Sequence, residues 1–444
     1  MTPKQTLPVI HPHAAGIDVG SVTHYVAVGQ QSEDVRSFGC YTEDLHALSH
    51  WLTEQGITTI AMESTGSYWK GLFQRLQQDG FEVLLVNGKH TRNVKGRKTD
   101  VLDCQWIQRL HSLGLLSGSF LPDASTAALR QYVRQREYLI EQQAAYIKKI
   151  ESALRQMNIR LDAALSDIVG QSGRAILEAI LSGERDASVL ATLVNHRVRK
   201  SKAEIERSLT GEWKEEYLFE MQLSFELYNV IQSKIAACDS QIEGLLTESM
   251  QQKEVVENVT TVKKKKNKNA PKMDLQSVST QLSGGVNLYQ IEGVSDATVL
   301  ALLSETSFNL SKFPSAKHFA SWLALSPNNK VSGGKTLSSH TAHHNNRLAQ
   351  AFRRAANAIG NMKKGALNQF FRRIAYRYGR MAAITATARK LAVIIYNMLT
   401  KKEAYRYEET VIYTERLRRL QLKNMQKKIT ALNIKPDELH FITV

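Results

Sequence analysis

From Ser125 to Met250 the chain contains no proline and few glycines. Proline removes a backbone donor and clashes with the preceding helical turn, so its absence permits long uninterrupted helices. Apolar residues recur in this stretch at spacings of three, four and seven. One run is Val133, Ile140, Ile147, Ile150, Leu154, Met157 and Leu161, and a second is Met221, Tyr228, Ile231, Ile235, Cys238, Ile242 and Leu245. That spacing lines one face of a helix. Two long helices are expected, packed as an antiparallel pair or as an intermolecular coiled coil, with a plain helical bundle within one subunit as the equal alternative.

The sequence before this stretch changes period. Ala14–Val19 is apolar and extended, and THYVAV at 23–28 alternates as a strand does. EDLHALSHWLTEQ and SYWKGLFQRLQQDG read as amphipathic helices, and TTIAME and FEVLLVN as buried strands. This predicts an α/β domain ending near Pro122. A chain of 444 residues exceeds one ordinary core, so two or three domains are expected in all.

The chain carries a net charge of +16, and its distribution narrows the choice of partner. Between Glu305 and Glu403 there is no Asp or Glu, against seventeen Lys and Arg. Solvated surfaces ordinarily mix signs, so a window of one sign points to a polyanion, and nucleic acid is the commonest one. Within it Arg353, Arg354, Lys363, Lys364, Arg372, Arg373, Arg377 and Arg380 interleave with Phe370, Phe371, Tyr376 and Tyr378, which suits backbone contact with base stacking. Residues 251–285, with KKKKNKNAPK, read as a flexible basic insertion. IEGVSDATVLALLSE resembles a helix–hairpin–helix turn, with Ser295 in place of the usual second glycine, or equally an ordinary helix start. Cys40, Cys104 and Cys238 lie far apart with no CxxC pair, which fits a reducing compartment. No apolar run of membrane-spanning length and no signal-peptide core is read from the sequence, so no membrane partner and a cytoplasmic, nucleoid-associated location are expected.

Four acids stand out. Asp18 lies inside an apolar strand, Glu63 at the end of another, and Asp100 and Asp103 share one face at a helix start. Each alone has an ordinary reading, as a solvent-facing strand residue or as a partner of the helix dipole. Together, beside the basic loop of Lys89, Arg92, Lys95, Arg97 and Lys98, they suggest divalent-metal phosphoryl chemistry. Downstream, VSGGKTLSSHTAHHNNR at 331–347 offers three chemistries. GGKT fails as a phosphate loop, because the first glycine of that motif would fall at Asn329. His340, His343 and His344 lack the further ligand a zinc site needs. Ser332, Ser338 and Ser339 offer a hydroxyl, the latter two reading as loop or capping residues.

The motifs GIDVGS, AMESTGSYW, NGKHTRNVKGRKTDVLDCQWIQRL, IEGVSDATVLALLSE and FASWLALSPNNKVSGGK resemble, in order, those of the DEDD-type insertion-sequence transposases, bridge-RNA-guided serine recombinases related to the Piv-type invertases. The resemblance covers most of the chain. It implies a RuvC-like (RNase H-like) α/β domain over 1–123 and a helical coiled-coil region over 124–250. It implies a helical transposase domain over 286–402, while the insertion at 251–285 and a helical tail over 403–444 have no clear counterpart in the family. It implies that Asp18, Glu63, Asp100 and Asp103 hold Mg²⁺ and that Ser332 attacks DNA to form a phosphoserine link. It implies donor and target DNA and a structured bridge RNA as partners, and homodimers pairing into a tetramer with a composite site between subunits. Lys95, Arg97, Lys98, Lys335, Arg347, Arg353 and Arg354 are the expected nucleic-acid contacts. The chain departs from the family at Ala324, where glycine is usual, and in the loop after the S-G motif. A metal-dependent nuclease without a covalent intermediate and a non-catalytic nucleic-acid-binding protein are the rival readings.

Overall fold

The computed structural model describes residues 7–91, 99–253, 261–264, 266–342, 346–405 and 410–431. The chain forms two compact units, Met1–Leu121 and Pro122–Val444.

The first unit is a five-stranded mixed sheet with the order β3-β2-β1-β4-β5. Its strands are β1 (Ala14–Val19), β2 (Thr23–Ala27), β3 (Val35–Gly39), β4 (Thr59–Glu63) and β5 (Glu82–Val86). β2 pairs antiparallel with β1 and β3, whereas β4 runs parallel to both β1 and β5. Parallel pairing requires crossovers, which α1 (Thr42–Glu54) and α2 (Trp69–Gln78) supply. Leu48 and Leu52 of α1 and Leu72 and Leu76 of α2 bury against Ala15, Ile17, Val19, Ile60 and Met62. The short α3 (Gly88–Thr91) follows β5, and α4 (Asp100–Ser112) packs against β1. The strands and helices read from the sequence are present; β3 was not anticipated.

The second unit begins with α5 (Ala124–Gln156) and α10 (Glu215–Gln251), two long helices running antiparallel within the chain. Near their middle the Arg136 guanidinium donates to Asp239 at 2.5 Å and to the Asn269 carbonyl at 2.8 Å. Between them in sequence come α6 (Leu161–Ala164), α7 (Gln171–Leu181), α8 (Ala187–Thr192) and α9 (Lys202–Leu209). These close over the far end of the pair in a core of Ile150, Leu154, Met157, Ile176, Ile180, Leu190, Met221 and Phe225. The first apolar run crosses a helix end. Met157 is the C-cap of α5, and Asn158 reverses the chain at φ 57°, so Leu161 belongs to α6.

The insertion at 251–285 differs from a flexible one over its described residues. α11 (Leu275–Leu282) buries Leu275, Ser279, Thr280 and Leu282, and Asp274 caps it by accepting from the Ser277 amide. The Lys264 ammonium donates to the carbonyls of Ile291 (3.0 Å) and Val294 (2.9 Å). Those carbonyls belong to the turn before α12 (Asp296–Thr306), and what precedes that turn is a short 3-10 segment, Leu288–Gln290, rather than a full helix. The helix–hairpin–helix expectation is thereby corrected to a lysine-braced turn.

The rest comprises α13 (Ala316–Trp322), the hairpin β6 (Lys330–Ser332) and β7 (Lys335–Ser338), α14 (Arg347–Asn361), α15 (Ala366–Tyr378), α16 (Arg380–Lys401) and α17 (Thr410–Ala431). α16 is long and apolar enough to cross a membrane by length and composition, contrary to the reading that no run was. Its Ala383, Thr387, Leu391, Ile395 and Met398 are buried, and it packs against α13, α14 and α15, the pattern of a core helix.

Candidate active site

Side chains alternate across a strand, so the core of the first unit identifies which acids share a face. Ala15, Ile17 and Val19 of β1, with Ile60 and Met62 of β4, face α1 and α2. Gly16 and Asp18 of β1, with Thr59, Ala61 and Glu63 of β4, therefore face the other way, toward α4. The contact at Gly16 is close. A methyl group there would lie 2.5 Å from the Cys104 carbonyl oxygen and nearer still to the Gln108 amide. Only glycine lets α4 lie this near the sheet.

The direction of α4 follows from its far end. His111 Nε2 lies 2.9 Å from Thr59 Oγ1, at the start of β4. The helix from His111 back to Asp103 spans about 12 Å, and β4 from Thr59 to Glu63 spans about 13 Å. The first turn of α4, with Asp100 and Asp103, thus reaches the C-terminal ends of β1 and β4, where Asp18 and Glu63 lie. Burial pushes the Cys104 thiol up to about 12, and the charges of Asp18 and Asp103 add to the rise. Thr99 caps α4 by accepting from the Leu102 amide at 3.3 Å. Glu63 Oε2 accepts from the Thr91 hydroxyl at 2.7 Å. Carboxylates are the oxygen donors that a hard cation takes. Among the described residues, however, no three His, Cys, Asp or Glu stand close enough together to hold one.

Ser332 ends β6, exposed, at the base of a two-residue hairpin turn. Gly333 and Gly334 form the turn with φ of 53° and 75°, the left-handed pair such hairpins need, and Ser332 pairs with Lys335 across it. Ser338 is the last residue of β7, and its hydroxyl accepts from the His340 amide at 3.4 Å. The cap of α14 is Asn346, whose side chain accepts from the Ala349 amide. Ser338 is therefore a strand residue and Ser339 the first loop residue after it, and neither caps α14.

The expected cations fare differently. Lys335 is exposed on the hairpin, Arg353 is half-buried on α14, and Lys95, Arg97, Lys98, His343 and His344 lie outside the described residues. Arg347 and Arg354 share one carboxylate, Glu137 of α5, at 3.1 Å and 3.6 Å. No sequence signal marks Glu137, because its partners lie more than two hundred positions away. A second acid, Glu305, is clamped between Arg130 (3.2 Å) and Arg134 (2.8 Å).

Two family models match the chain. One, for DEDD transposases of the IS110 type, covers residues 15–159, and the other, for the transposase IS116/IS110/IS902 family, covers residues 286–372. No curated protein matches it. An acid-bearing α/β unit joined to a helical unit with these matches is a transposase, an enzyme that cuts and rejoins DNA. The chain belongs to the IS110 family of insertion-sequence transposases. The mixed sheet is consistent with a RuvC-like DEDD domain, and such domains are typically metal-dependent.

Proposed function

We propose that this transposase moves DNA by transesterification through a phosphoserine, with a RuvC-like metal centre in its first unit and Ser332 as the nucleophile. The observation that supports the reading is that Asp18 and Glu63 lie on the α4 side of the sheet, toward the C-terminal ends of the interior strands β1 and β4, with α4 packed close against β1. Asp18, Glu63, Asp100 and Asp103 would hold Mg²⁺, which when bound would stabilise charge on the reacting phosphate and the departing oxygen.

The steps assigned to this chain's own residues balance. The Ser332 Oγ bonds to phosphorus as one P–O bond of the strand breaks, and the hydroxyl proton ends on the departing sugar oxygen. One phosphodiester is exchanged for another, so no ATP is consumed. The positive-φ glycines leave no side chain beside the hydroxyl, and nothing lies within 4 Å of where their Cβ atoms would be, which admits a phosphate. Lys335, paired across the turn, would hold a neighbouring phosphate. Lys95, Arg97, Lys98, Arg347, Arg353 and Arg354 would grip DNA or a bridge RNA.

A second copy is also proposed. α10 exposes Phe219, Leu223, Leu227 and Val230, at spacings of four, four and three, on the side turned away from Met221, Phe225 and Tyr228. Such a stripe supports pairing with the same helix of another chain, and pairs of dimers would make the tetramer. Work on DNA would put the protein with the nucleoid in the cytoplasm.

The test is adduct trapping on denaturing gels with radiolabelled donor DNA. Wild type should form a protein–DNA species that Ser332→Ala lacks, and Asp18→Asn should lose metal-dependent strand transfer while keeping its thermal transition. Strand cleavage by Ser332→Ala at the wild-type rate would replace this mechanism with hydrolysis by a RuvC-like nuclease.

A further inference from the structure

α15 and α16 meet at Gly379, whose φ of 84° turns the chain sharply. Around that elbow the surface has an unusual composition. Tyr376 is 96% exposed, and Tyr378 and Met381 are largely exposed beside it. Large apolar side chains of this exposure contribute nothing to the core. Arg373, Arg377 and Arg380 surround them, and the acid-free window means that no carboxylate of the same segment competes.

These cations are held in place. The Arg377 guanidinium lies 5.5 Å from the Tyr378 ring centre, covering one face of the ring, and Arg373 lies 5.5 Å from that of Phe370. Arg380 donates to the side-chain oxygens of Asn357 and Asn361 at 2.6 Å and 2.8 Å. Among the described residues no cation covers the Tyr376 ring, which its exposure leaves open to solvent.

We infer that this elbow is a stacking platform for unpaired bases of single-stranded DNA. The inference rests on the proposed reading of the chain as a strand-exchanging transposase. A flat open π face next to ordered cations matches a base on a phosphate backbone, and base–aromatic stacking of this kind does not read sequence. A duplex hides its base faces, so only an unpaired strand can use Tyr376. Cutting one DNA and rejoining it to another exposes such strands, which is why DNA is the assigned occupant. An apolar protein surface would match the rings but leave the cations without partners.

The test is fluorescence anisotropy of the full chain with labelled oligo(dT), a duplex of equal length, and oligo(U). Tyr376→Ala should weaken oligo(dT) binding by about 5- to 150-fold, change duplex binding less than about twofold, and leave the salt dependence of oligo(dT) binding unaltered. Tyr376→Phe should bind as wild type. Arg377→Gln should instead flatten the salt dependence by about 0.7 in log–log slope. Exposure of Tyr376 leaves folding out of the comparison, and the Ser332 adduct assay on the same preparations separates two failures. Absence of the adduct from wild type would overturn the transesterification reading. An intact adduct with oligo(dT) binding untouched by Tyr376→Ala would overturn the platform alone. Equal losses on strand and duplex would also overturn it, and a loss confined to oligo(U) would replace DNA with RNA as the occupant.

Discussion

Ala324 sits at φ 50° with its methyl group buried, just past the end of α13. A left-handed backbone costs an L-residue roughly 1–2 kcal/mol, while burial of a methyl group returns about 0.8 kcal/mol. Burial offsets only part of that cost, so alanine holds a position whose left-handed backbone favours glycine, a reason that the sequence alone does not show. His111 has a clearer consequence. Burial, with a smaller contribution from the stacked His11, lowers its pKa to about 4, so the folded state prefers the neutral ring. An unfolded histidine titrates near 6.5. The stabilisation from His111 is therefore full above pH 6.5 and is lost as pH falls toward 4, amounting to roughly 3 kcal/mol at most. His111→Gln should flatten the denaturant midpoint of wild type over that range, measured as the difference between the two proteins. The buried His24, whose pKa burial also lowers, should leave a smaller slope behind.

At the scale of elements, the fit of α4 against β1 decides where Asp100 and Asp103 lie. Gly16→Ala would drive a methyl group into the backbone of α4 at Cys104 and Gln108, neither of which can rotate away. Overpacking of this kind costs about 1–3 kcal/mol or more. The variant should lose thermal stability and lose metal-dependent activity further than its folded fraction explains; full activity at normal stability would show that α4 does not set the acids. The strands and helices of the first unit were legible because their periods of two and near four are strong and their ends carry glycine or capping residues. β3 was missed because Val35–Gly39 is a short edge strand with only Phe38 buried, too little apolar signal for its length. The break of α5 was missed because Met157, at its C-cap, and Leu161 continue the apolar spacing across the αL turn at Asn158. The acids were legible as residue types. Their common face required knowing strand parity and the direction of α4, and the ion pairs of Glu137 and Glu305 are long-range events that no local pattern encodes.

At the scale of the whole molecule, the exposed stripe on α10 governs assembly. Leu223→Glu with Leu227→Glu places two charges on a solvent-facing surface, so the fold of the single chain should be untouched. Light scattering should show a lower oligomeric mass than wild type at equal concentration, with an unchanged circular-dichroism spectrum. An unchanged mass would assign the stripe no role in assembly. The same long helices illustrate what the sequence leaves open. Their apolar spacing satisfied an internal pair and an external one equally, and the structure uses one face for the first while leaving the other face free.

Glu137 gives the basic face a property that a simple count of cations overlooks. Arg347 and Arg354 already hold an anion, the carboxylate between them, so a phosphate arriving there displaces an occupant and does not fill a vacancy. Engagement at this spot is an exchange of one oxyanion for another, which discounts casual encounters relative to those that bring enough other contacts to complete the swap. Removing the resident charge should make the enzyme less discriminating. Glu137→Gln is expected to tighten binding to random-sequence duplex DNA and to steepen its dependence on salt by up to about 1.8 in log–log slope, two counterions' worth.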